Sequence, residues 1–300
     1  MSAETAPAIV FRGVTVHEHG RTVLTAVDLA VETSQVYAVV GPNGSGKSTL
    51  LRVAAALCRP SAGSVQVSGW DVLRQPEQVR RNIGYVAGET GLADRLTPQE
   101  HLELAGSQRG LGRADRRVAA ESMIELVDLT RQAHTYVCEL SPGQRRRLAV
   151  ALALVHDPPV ILLDEPFTQI DEQGRGELTS VLLELRAMEK TLLIASQAQS
   201  DVSEVSDVVA HLTGGTLRPA ARGETTTLTW VEVLADPELA LRALRESPNV
   251  AEIHQDGNFL TFSGLSTPED RSQVAQWLLS RGVRLAGFGA TVTPVGGDGG

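Results

Sequence analysis

The chain has 300 residues, of which 42% are hydrophobic and 21% are charged, as in ordinary globular proteins. This length predicts two domains, because a single hydrophobic core seldom serves so long a chain. The 27 lysines and arginines face 36 aspartates and glutamates, and the net charge of -9 disfavours a nucleic acid partner. The sequence contains neither a membrane-spanning apolar run nor a signal pattern, which predicts a cytosolic location.

The first part of the chain has the pattern of an α/β fold. Alternating apolar residues predict several short strands, the last of which covers residues 36–40 and leads into glycine. Residues 48–57 have a helical pattern, and residues 160–163 predict a buried strand that precedes two acidic residues. Strands that alternate with helices indicate a largely parallel sheet. The helical pattern over about residues 90–155 predicts a helical subdomain inserted into this fold.

A second, smaller domain is predicted near the end of the chain. Residues 1–218 are assigned to the first domain, and residues 219–226 have the composition of a linker. Residues 227–293 give the order strand, helix, strand, strand, helix, strand, which predicts a ferredoxin-like α+β fold. Residues 294–300 are predicted to be a disordered tail.

A glycine-rich segment between a predicted strand and a predicted helix fits the Walker A pattern. Glycines let backbone N–H groups converge on phosphate oxygens, and the N-terminus of the following helix adds positive potential. Lys47 is expected to reach the β- and γ-phosphates, while the Ser48 hydroxyl is expected to bind Mg²⁺. The predicted nucleotide-binding residues are Gly41, Pro42, Asn43, Gly44, Ser45, Gly46, Lys47, Ser48 and Thr49.

Two acidic residues follow the apolar run 160–163. In a Walker A protein this strand would bring Asp164 to the Mg²⁺ ion and Glu165 to the attacking water as the catalytic base. The alternative is a core strand that ends in acidic residues without a function. The phosphate-binding interpretation is favoured because a Walker A segment precedes the strand in the same chain.

The segment formed by residues 140–144, Leu-Ser-Pro-Gly-Gln, resembles the signature sequence of ATP-binding cassette (ABC) proteins. Residues 167–171 resemble the D-loop of that family, which would contain Asp171, and residues 91–104 resemble the segment that opens its helical subdomain. The resemblance extends over about residues 8–218. Its specificity comes from three motifs in the family's order.

The resemblance implies a P-loop NTPase fold, ATP and Mg²⁺ as ligands, and a head-to-tail dimer of cassettes that encloses two ATP molecules. In such a dimer, Ser141 and the N–H group of Gly143 would contact the γ-phosphate held by the other cassette. Gln144 completes the signature. Pro142 replaces a usual glycine and removes one N–H donor, although proline suits the first turn of a helix.

Three positions depart from the family pattern. Gly88 occupies the place of a usual glutamine, unless a slip of one residue lets Glu89 take that role. Gln197 stands in the place of the switch histidine, where its amide would donate a hydrogen bond without carrying charge. The alternative is a surface glutamine without a role. Residues 17–19, His-Glu-His, replace the aromatic residue that stacks on adenine, so either an imidazole stacks there or these are solvated loop residues.

Three consecutive arginines, Arg145, Arg146 and Arg147, follow the signature. Contact with phosphate is one interpretation of such a run. A solvated helix face is the interpretation that we favour, because runs of charge usually lie on the surface.

The resemblance implies the ATP-hydrolysing subunit of an ABC transporter on the cytoplasmic side of the membrane, with a separate permease and a second cassette as partners. The region after residue 90 and the added domain resemble exporters of the ABC-2 class.

A hydrolysis-impaired, ATP-gated subunit is the alternative, favoured by Gly88 and Gln197 but opposed by Glu165. A soluble ABC protein that acts on ribosomes or DNA ranks lower, since the chain is acidic. The added domain is expected to support dimerisation or regulation.

Overall fold

The computed structural model describes residues 6–18, 20–88, 91–218, 223–247, 250–263 and 268–296. Its contacts divide the chain into two units, Met1–Leu217 and Arg218–Gly300, and each is described by itself. Within the described residues the strands form three sheets, two in the first unit and one in the second. Over the same residues, none of the helices combines the length and the apolarity that a bilayer crossing requires.

The first unit contains strands β1–β10 and helices α1–α6. The strands are β1 (Ile9–Glu18), β2 (Arg21–Val31), β3 (Val36–Val40), β4 (Ala62–Val67), β5 (Trp70–Asp71), β6 (Ile83–Val86), β7 (Val160–Asp164), β8 (Thr191–Ser196), β9 (Val208–Thr213) and β10 (Thr216–Arg218). The helices are α1 (Lys47–Ala54), α2 (Pro76–Arg81), α3 (Pro98–Gln108), α4 (Arg113–Leu126), α5 (Pro142–Leu154) and α6 (Glu172–Ala187).

The two sheets of this unit and its helices enclose two hydrophobic cores. An antiparallel sheet has the order β2-β1-β4-β5, and a second sheet has the order β10-β9-β3-β8-β7-β6. One core lies between these sheets and includes α1, while the other lies between the second sheet and helices α3–α6. Strands β3, β7 and β8 are buried along their whole length, which explains why their sequences are mainly apolar.

The register of the parallel strands brings their carboxyl ends to one edge. Val40 of β3 lies opposite Ser196 of β8, and Ala195 lies opposite Asp164 of β7. Val86, at the end of β6, lies opposite Leu163. The segments that follow these four strands therefore start side by side, at the edge where parallel α/β sheets bind their ligands.

The second unit has the order predicted for a ferredoxin-like fold, and its sheet has the strand order β12-β13-β11-β14. Its apolar core forms where one face of the sheet meets the two helices. Its elements are β11 (Gly223–Ala235), α7 (Pro237–Arg245), β12 (Ala251–Asp256), β13 (Phe259–Ser263), α8 (Pro268–Ser280) and β14 (Arg284–Gly296).

The two long strands of this unit extend beyond the predicted limits of the domain. Gly223 pairs with Gly296, so β11 begins inside the predicted linker 219–226 and β14 ends inside the predicted tail 294–300. Threonine is frequent in strands, and two polar segments that pair with each other satisfy their backbone groups. Composition alone therefore mistook strand residues for a linker. Residues 219–222 and 297–300 lie outside the described residues.

Candidate functional site

The Walker A segment connects β3 to α1, and two of its glycines are required by close backbone approaches. A Cβ atom added to Gly41 would lie 2.1 Å from the carbonyl oxygen of Leu212. One added to Gly46, whose φ is 107°, would lie 2.8 Å from both Leu24 Cδ2 and the Val23 carbonyl oxygen. Helix α1 has no side-chain cap, which leaves its first backbone N–H groups available to an anion.

The Lys47 side chain lies folded across this loop and is only 5% exposed. Its Nζ donates hydrogen bonds to the carbonyl oxygens of Gly41, at 2.7 Å, and Pro42, at 3.0 Å. It also forms an ion pair with Glu165, with Nζ 3.1 Å from Oε1. Inside the same loop the Ser45 hydroxyl is buried without a partner among the described residues. A buried polar group of this kind indicates that a ligand completes the loop.

Two oxygen groups meet where α1 approaches the end of β7. The Ser48 hydroxyl donates to Asp164 Oδ1 at 3.0 Å, and hydroxyl and carboxylate oxygens are the ligands that Mg²⁺ prefers. The hydroxyl of Tyr85 of β6, which the sequence analysis did not single out, lies within the electrostatic influence of the Asp164 carboxylate. Burial, and then the Asp164 charge, raise the pKa of Tyr85 to about 12. The Tyr85 hydroxyl therefore keeps its proton at neutral pH.

Glu165 follows β7 directly and has an unusual backbone conformation. Its φ of 48° is in the left-handed region, which residues other than glycine rarely adopt and which is frequent at functional sites. Its N–H group donates to the Ala195 carbonyl at 2.9 Å. Its Oε2 accepts a hydrogen bond of 3.1 Å from the backbone N–H of Gln197. The carboxylate is thus held between Gln197 and Lys47.

Gln197 reaches this site through its backbone rather than its side chain. The backbone N–H donates to Glu165, whereas the residue as a whole is exposed. The role predicted for the side-chain amide stays a prediction. Gly88 lies after β6, near Asp164, and Glu89 lies outside the described residues.

The three arginines after the signature do not form a solvated helix face. Arg146 and Arg147 are buried, at 6% and 3% exposure, so the prediction of a solvated face is wrong for these two residues. Arg147 donates to the Val127 carbonyl at 2.6 Å and to Glu177 at 2.8 Å. Arg145 is partly buried and donates to the carbonyl oxygens of residues 138 and 140. Backbone carbonyls in the adjacent loops require donors, and the long guanidinium groups of helix α5 supply them.

The signature residues form the capped start of α5. The Ser141 hydroxyl accepts from the Gln144 N–H at 3.2 Å, and Gln144 Oε1 accepts from the Ser141 N–H at 3.0 Å. Gly143 lies against Gly174, because an added Cβ atom would be 3.2 Å from the Gly174 Cα. Asp171 caps α6 by accepting from the Gly174 N–H at 2.8 Å. The signature and the D-loop therefore meet, and no hydrogen bond between described residues joins either of them to the Walker A segment.

Two of the residues in place of the adenine-stacking aromatic, His17 and Glu18, lie at the end of β1. His17 Nδ1 lies 3.1 Å from the Thr22 hydroxyl. Glu18 forms an ion pair with Arg52 of α1, with an oxygen-to-nitrogen distance of 3.4 Å. His19 lies outside the described residues. Stacking of an imidazole on adenine stays a prediction.

A groove of about 330 Å³ opens between α1, β6 and α5. Most of the residues that line it are apolar, and Leu57 at its border is 57% exposed. Arg109 donates to the Arg80 carbonyl at 3.0 Å, and burial lowers the pKa of the Arg109 guanidinium. The groove is lined by Ala55, Leu57, Arg80, Ile83, Tyr85, Val86, Ala87, Arg109, Ala149, Leu152 and Ala153.

The chain is similar to ATP-binding subunits of several transporters. NatA of Bacillus subtilis, an ABC transporter ATP-binding protein, is 35% identical over 63% of this chain and 77% of NatA. The daunorubicin resistance ATP-binding protein DrrA3 of Streptomyces coeruleorubidus is 36% identical over 64% of this chain and 61% of DrrA3. The sulfate/thiosulfate import ATP-binding protein CysA of Mycobacterium bovis is 37% identical over 64% of this chain but only 55% of CysA.

The fold agrees with a solved cassette structure. The dimeric structure of a post-hydrolysis state of the ATP-binding cassette MJ0796, bound to ADP and Pi, has 25% identity and a TM-score of 0.63. The match covers 70% of this chain and 98% of the MJ0796 chain. The ABC transporter family model matches residues 24–168, which include the Walker A segment, the signature and the strand that ends at Asp164. This chain therefore belongs to the ABC transporter family, as an ATP-binding cassette ATPase that uses ATP with Mg²⁺.

Proposed function

We propose that this chain powers export through a separate membrane permease, on the cytoplasmic side of the membrane, by ATP-driven pairing of two cassettes. The observation that carries the proposal is a set of three contacts at one sheet edge. Ser48 contacts Asp164 at 3.0 Å, Lys47 contacts Glu165 at 3.1 Å, and the Gln197 N–H contacts Glu165 at 3.1 Å. These are the groups that phosphoryl transfer to water requires.

Within this site Glu165 accepts the proton of the attacking water. Its left-handed backbone and the hydrogen bond from the Gln197 N–H fix the carboxylate before ATP arrives. Lys47 offsets negative charge on the phosphates, and its ion pair with Glu165 keeps it at the mouth of the loop. Ser48 and Asp164 would hold Mg²⁺, which when bound polarises the phosphate oxygens.

A second cassette would complete each ATP site. The signature is the N-terminus of a helix of 13 residues, and Ser141 and Pro142 are exposed there. Helix N-termini attract anions, yet no described hydrogen bond links this one to the Walker A segment of the same chain. The dimeric structure of MJ0796 supports the pairing for a similar cassette.

Export is proposed from the sequence resemblance of the region after residue 90 and of the added unit to ABC-2 proteins. The similarity to DrrA3, which is named for daunorubicin resistance, supports this direction. CysA is named for import and is similarly identical over its cassette, so the cassette sequence alone does not set the direction of transport. Transport assays in inside-out vesicles would measure it directly, and uptake of substrate into such vesicles is the expected result.

The groove beside β6 is the surface that we propose for the permease. It presents apolar walls next to Arg109, a cation that burial has partly removed from water. Among the described residues no carboxylate forms an ion pair with Arg109, so an apolar permease segment with an acidic residue fits this surface. Arg109→Glu is expected to reduce copurification of the permease, whereas the same change at the exposed Arg113 is not. Equal recovery of permease with both variants would contradict this placement.

The hydrolysis-impaired alternative rests on Gly88, which has no side chain, and on Gln197, whose side chain is exposed. The test is steady-state ATP turnover of the chain with its permease, beside Gln197→His and the control Ser200→His in the same loop. If the chain is a transport ATPase, the wild type is expected to hydrolyse ATP, and the permease is expected to raise the rate. Wild-type turnover near zero that only Gln197→His restores would establish the alternative.

A further inference from the structure

The segment after β6 lacks a side chain where the family has glutamine, although the structure has room for one. A Cβ atom added to Gly88 would have only the Asp164 carbonyl oxygen within 4 Å, at 3.9 Å. Gly88 is also absent from the residues with positive φ, so a side chain would cause no backbone strain. The missing side chain is therefore not a packing requirement.

Arg146 of α5 contacts this segment directly. One of its terminal nitrogens donates to the Ala87 carbonyl at 2.9 Å and the other donates to the Gly88 carbonyl at 2.7 Å. The planar guanidinium thus holds two consecutive carbonyl groups, an arrangement that a lysine ammonium does not reproduce. The two bonds span 59 and 58 positions of sequence, so they join separate parts of the fold.

The charge of Arg146 also acts on the two acidic residues of the site. Burial lowers the pKa of Arg146, and the carboxylates of Asp164 and Glu165 oppose that shift. Among the described residues Arg146 has no ion pair within 4.0 Å, so no adjacent carboxylate neutralises its charge. A buried cation with this geometry costs free energy, which its contacts with the segment after β6 offset.

We propose that Arg146 is a positioning residue that holds the segment after β6, in which position 88 has no side chain to do so. It fixes the segment after β6 beside Asp164 and Glu165. Because Arg146 belongs to α5, its two hydrogen bonds couple the position of that segment to the position of the helix. Because Ser141 is the N-cap residue of α5, the same contact links the nucleotide site to the signature. This inference rests on the proposed ATP hydrolysis and adds a residue to it.

Arg147 provides a matched control. It lies on the same helix, is equally buried, and donates to two carbonyl groups, those of Val127 at 2.6 Å and Asp128 at 2.9 Å. Successive helix residues are rotated by about 100°, so Arg147 faces the end of α4 instead of the nucleotide site. A lysine at either position removes a buried guanidinium, but only Arg146→Lys releases the segment after β6.

The test compares wild type, Arg146→Lys, Arg147→Lys, Gly88→Gln and the double variant Gly88→Gln with Arg146→Lys. In the full-length chain, Arg146→Lys is expected to lower kcat about tenfold while the KM for ATP stays within about twofold. Arg147→Lys is expected to lower the Tm without a comparable loss of kcat. Gly88→Gln supplies a side chain, so the loss caused by Arg146→Lys is expected to be smaller in that background.

Amide hydrogen exchange gives a readout that does not depend on turnover. Faster exchange is expected over residues 86–88 in Arg146→Lys and over residues 126–129 in Arg147→Lys. Unchanged exchange over residues 86–88 in Arg146→Lys, or equal losses of kcat in both lysine variants, would overturn the positioning role. Absence of turnover in wild type would contradict the proposed function instead, and the exchange measurement would still decide the role of Arg146.

Discussion

Gly44 and Gly46 both have positive φ in the Walker A segment, at 78° and 107°, but their surroundings differ. A Cβ atom on Gly44 would meet nothing within 4 Å, whereas one on Gly46 would clash with the chain at residues 23 and 24. An alanine at position 44 therefore adds only backbone strain, of about 1–2 kcal/mol. An alanine at position 46 must also move the loop against β2.

We predict that Gly46→Ala raises the Kd for ATP by more than about tenfold, because the backbone N–H groups lose their arrangement around the phosphates. Gly44→Ala is the control, since it shares the positive φ and lacks the clash. Titration with a fluorescent ATP analogue measures both affinities. Similar affinities of the two variants would show that the contact with β2 does not shape the loop.

The sequence predicts residues whose roles depend on local spacing. The motif identifies Lys47, and the apolar run before Asp164 and Glu165 predicts the strand that carries them. Contacts that depend on the pairing of distant elements are beyond such patterns. Arg146 contacts the segment after β6 over 58 positions, and a run of arginines gives no sign of this burial.

Helix α5 makes structural contacts at both of its termini. Its N-terminus carries the signature cap, and near its C-terminus His156 Nε2 lies 3.0 Å from the Ile83 carbonyl of β6. Because the acceptor is a carbonyl, Nε2 must carry the hydrogen. The other ring nitrogen, Nδ1, is buried without a partner among the described residues. Protonation of His156 would place a second N–H group there with no acceptor.

Burial, followed by the charge of Arg109, lowers the pKa of His156 below its ordinary value. The unfolded chain therefore binds a proton that the folded chain rejects, and stability falls as pH drops through about 6.5, the ordinary pKa of histidine. We predict that the Tm of wild type falls more between neutral pH and mildly acidic pH than that of His156→Gln, whose amide preserves the donor. His134→Gln changes an exposed histidine and serves as the control. Parallel Tm curves for wild type and His156→Gln would contradict the assignment.

At the scale of elements, the apolar residues of 36–40 and 160–163 predict β3 and β7, which are buried along their whole length. The order of strands in the sheet has no local signal, since it depends on which distant segments pair. The limits of β11 and β14 are likewise set by their mutual pairing, so composition placed a linker and a tail where the structure has strand.

The whole molecule has separate hydrophobic cores in its two units. Among the described residues, the two cores of the first unit extend to Leu217, and the core of the second unit is formed by residues between Val231 and Val283. Each unit therefore has the apolar core that independent folding requires.

We predict that a chain of residues 1–218, which retains β10, unfolds cooperatively and binds ATP with an affinity within about threefold of the full chain. Thermal unfolding with and without Mg-ATP measures both properties. A truncated chain that binds ATP but no longer dimerises would support the role proposed for the added unit in dimerisation. A truncated chain that fails to fold would contradict the independence of the first unit.

The central claim is that Glu165 is the base of a working ATPase. The most direct measurement is steady-state ATP turnover of the full chain with its permease, wild type beside Glu165→Gln, together with the ATP affinity of each. We predict turnover by wild type, a loss of at least about a hundredfold in Glu165→Gln, and retained ATP binding, because the amide preserves shape but accepts no proton. Turnover that survives in Glu165→Gln, or wild-type turnover at the level of this variant, would contradict the claim.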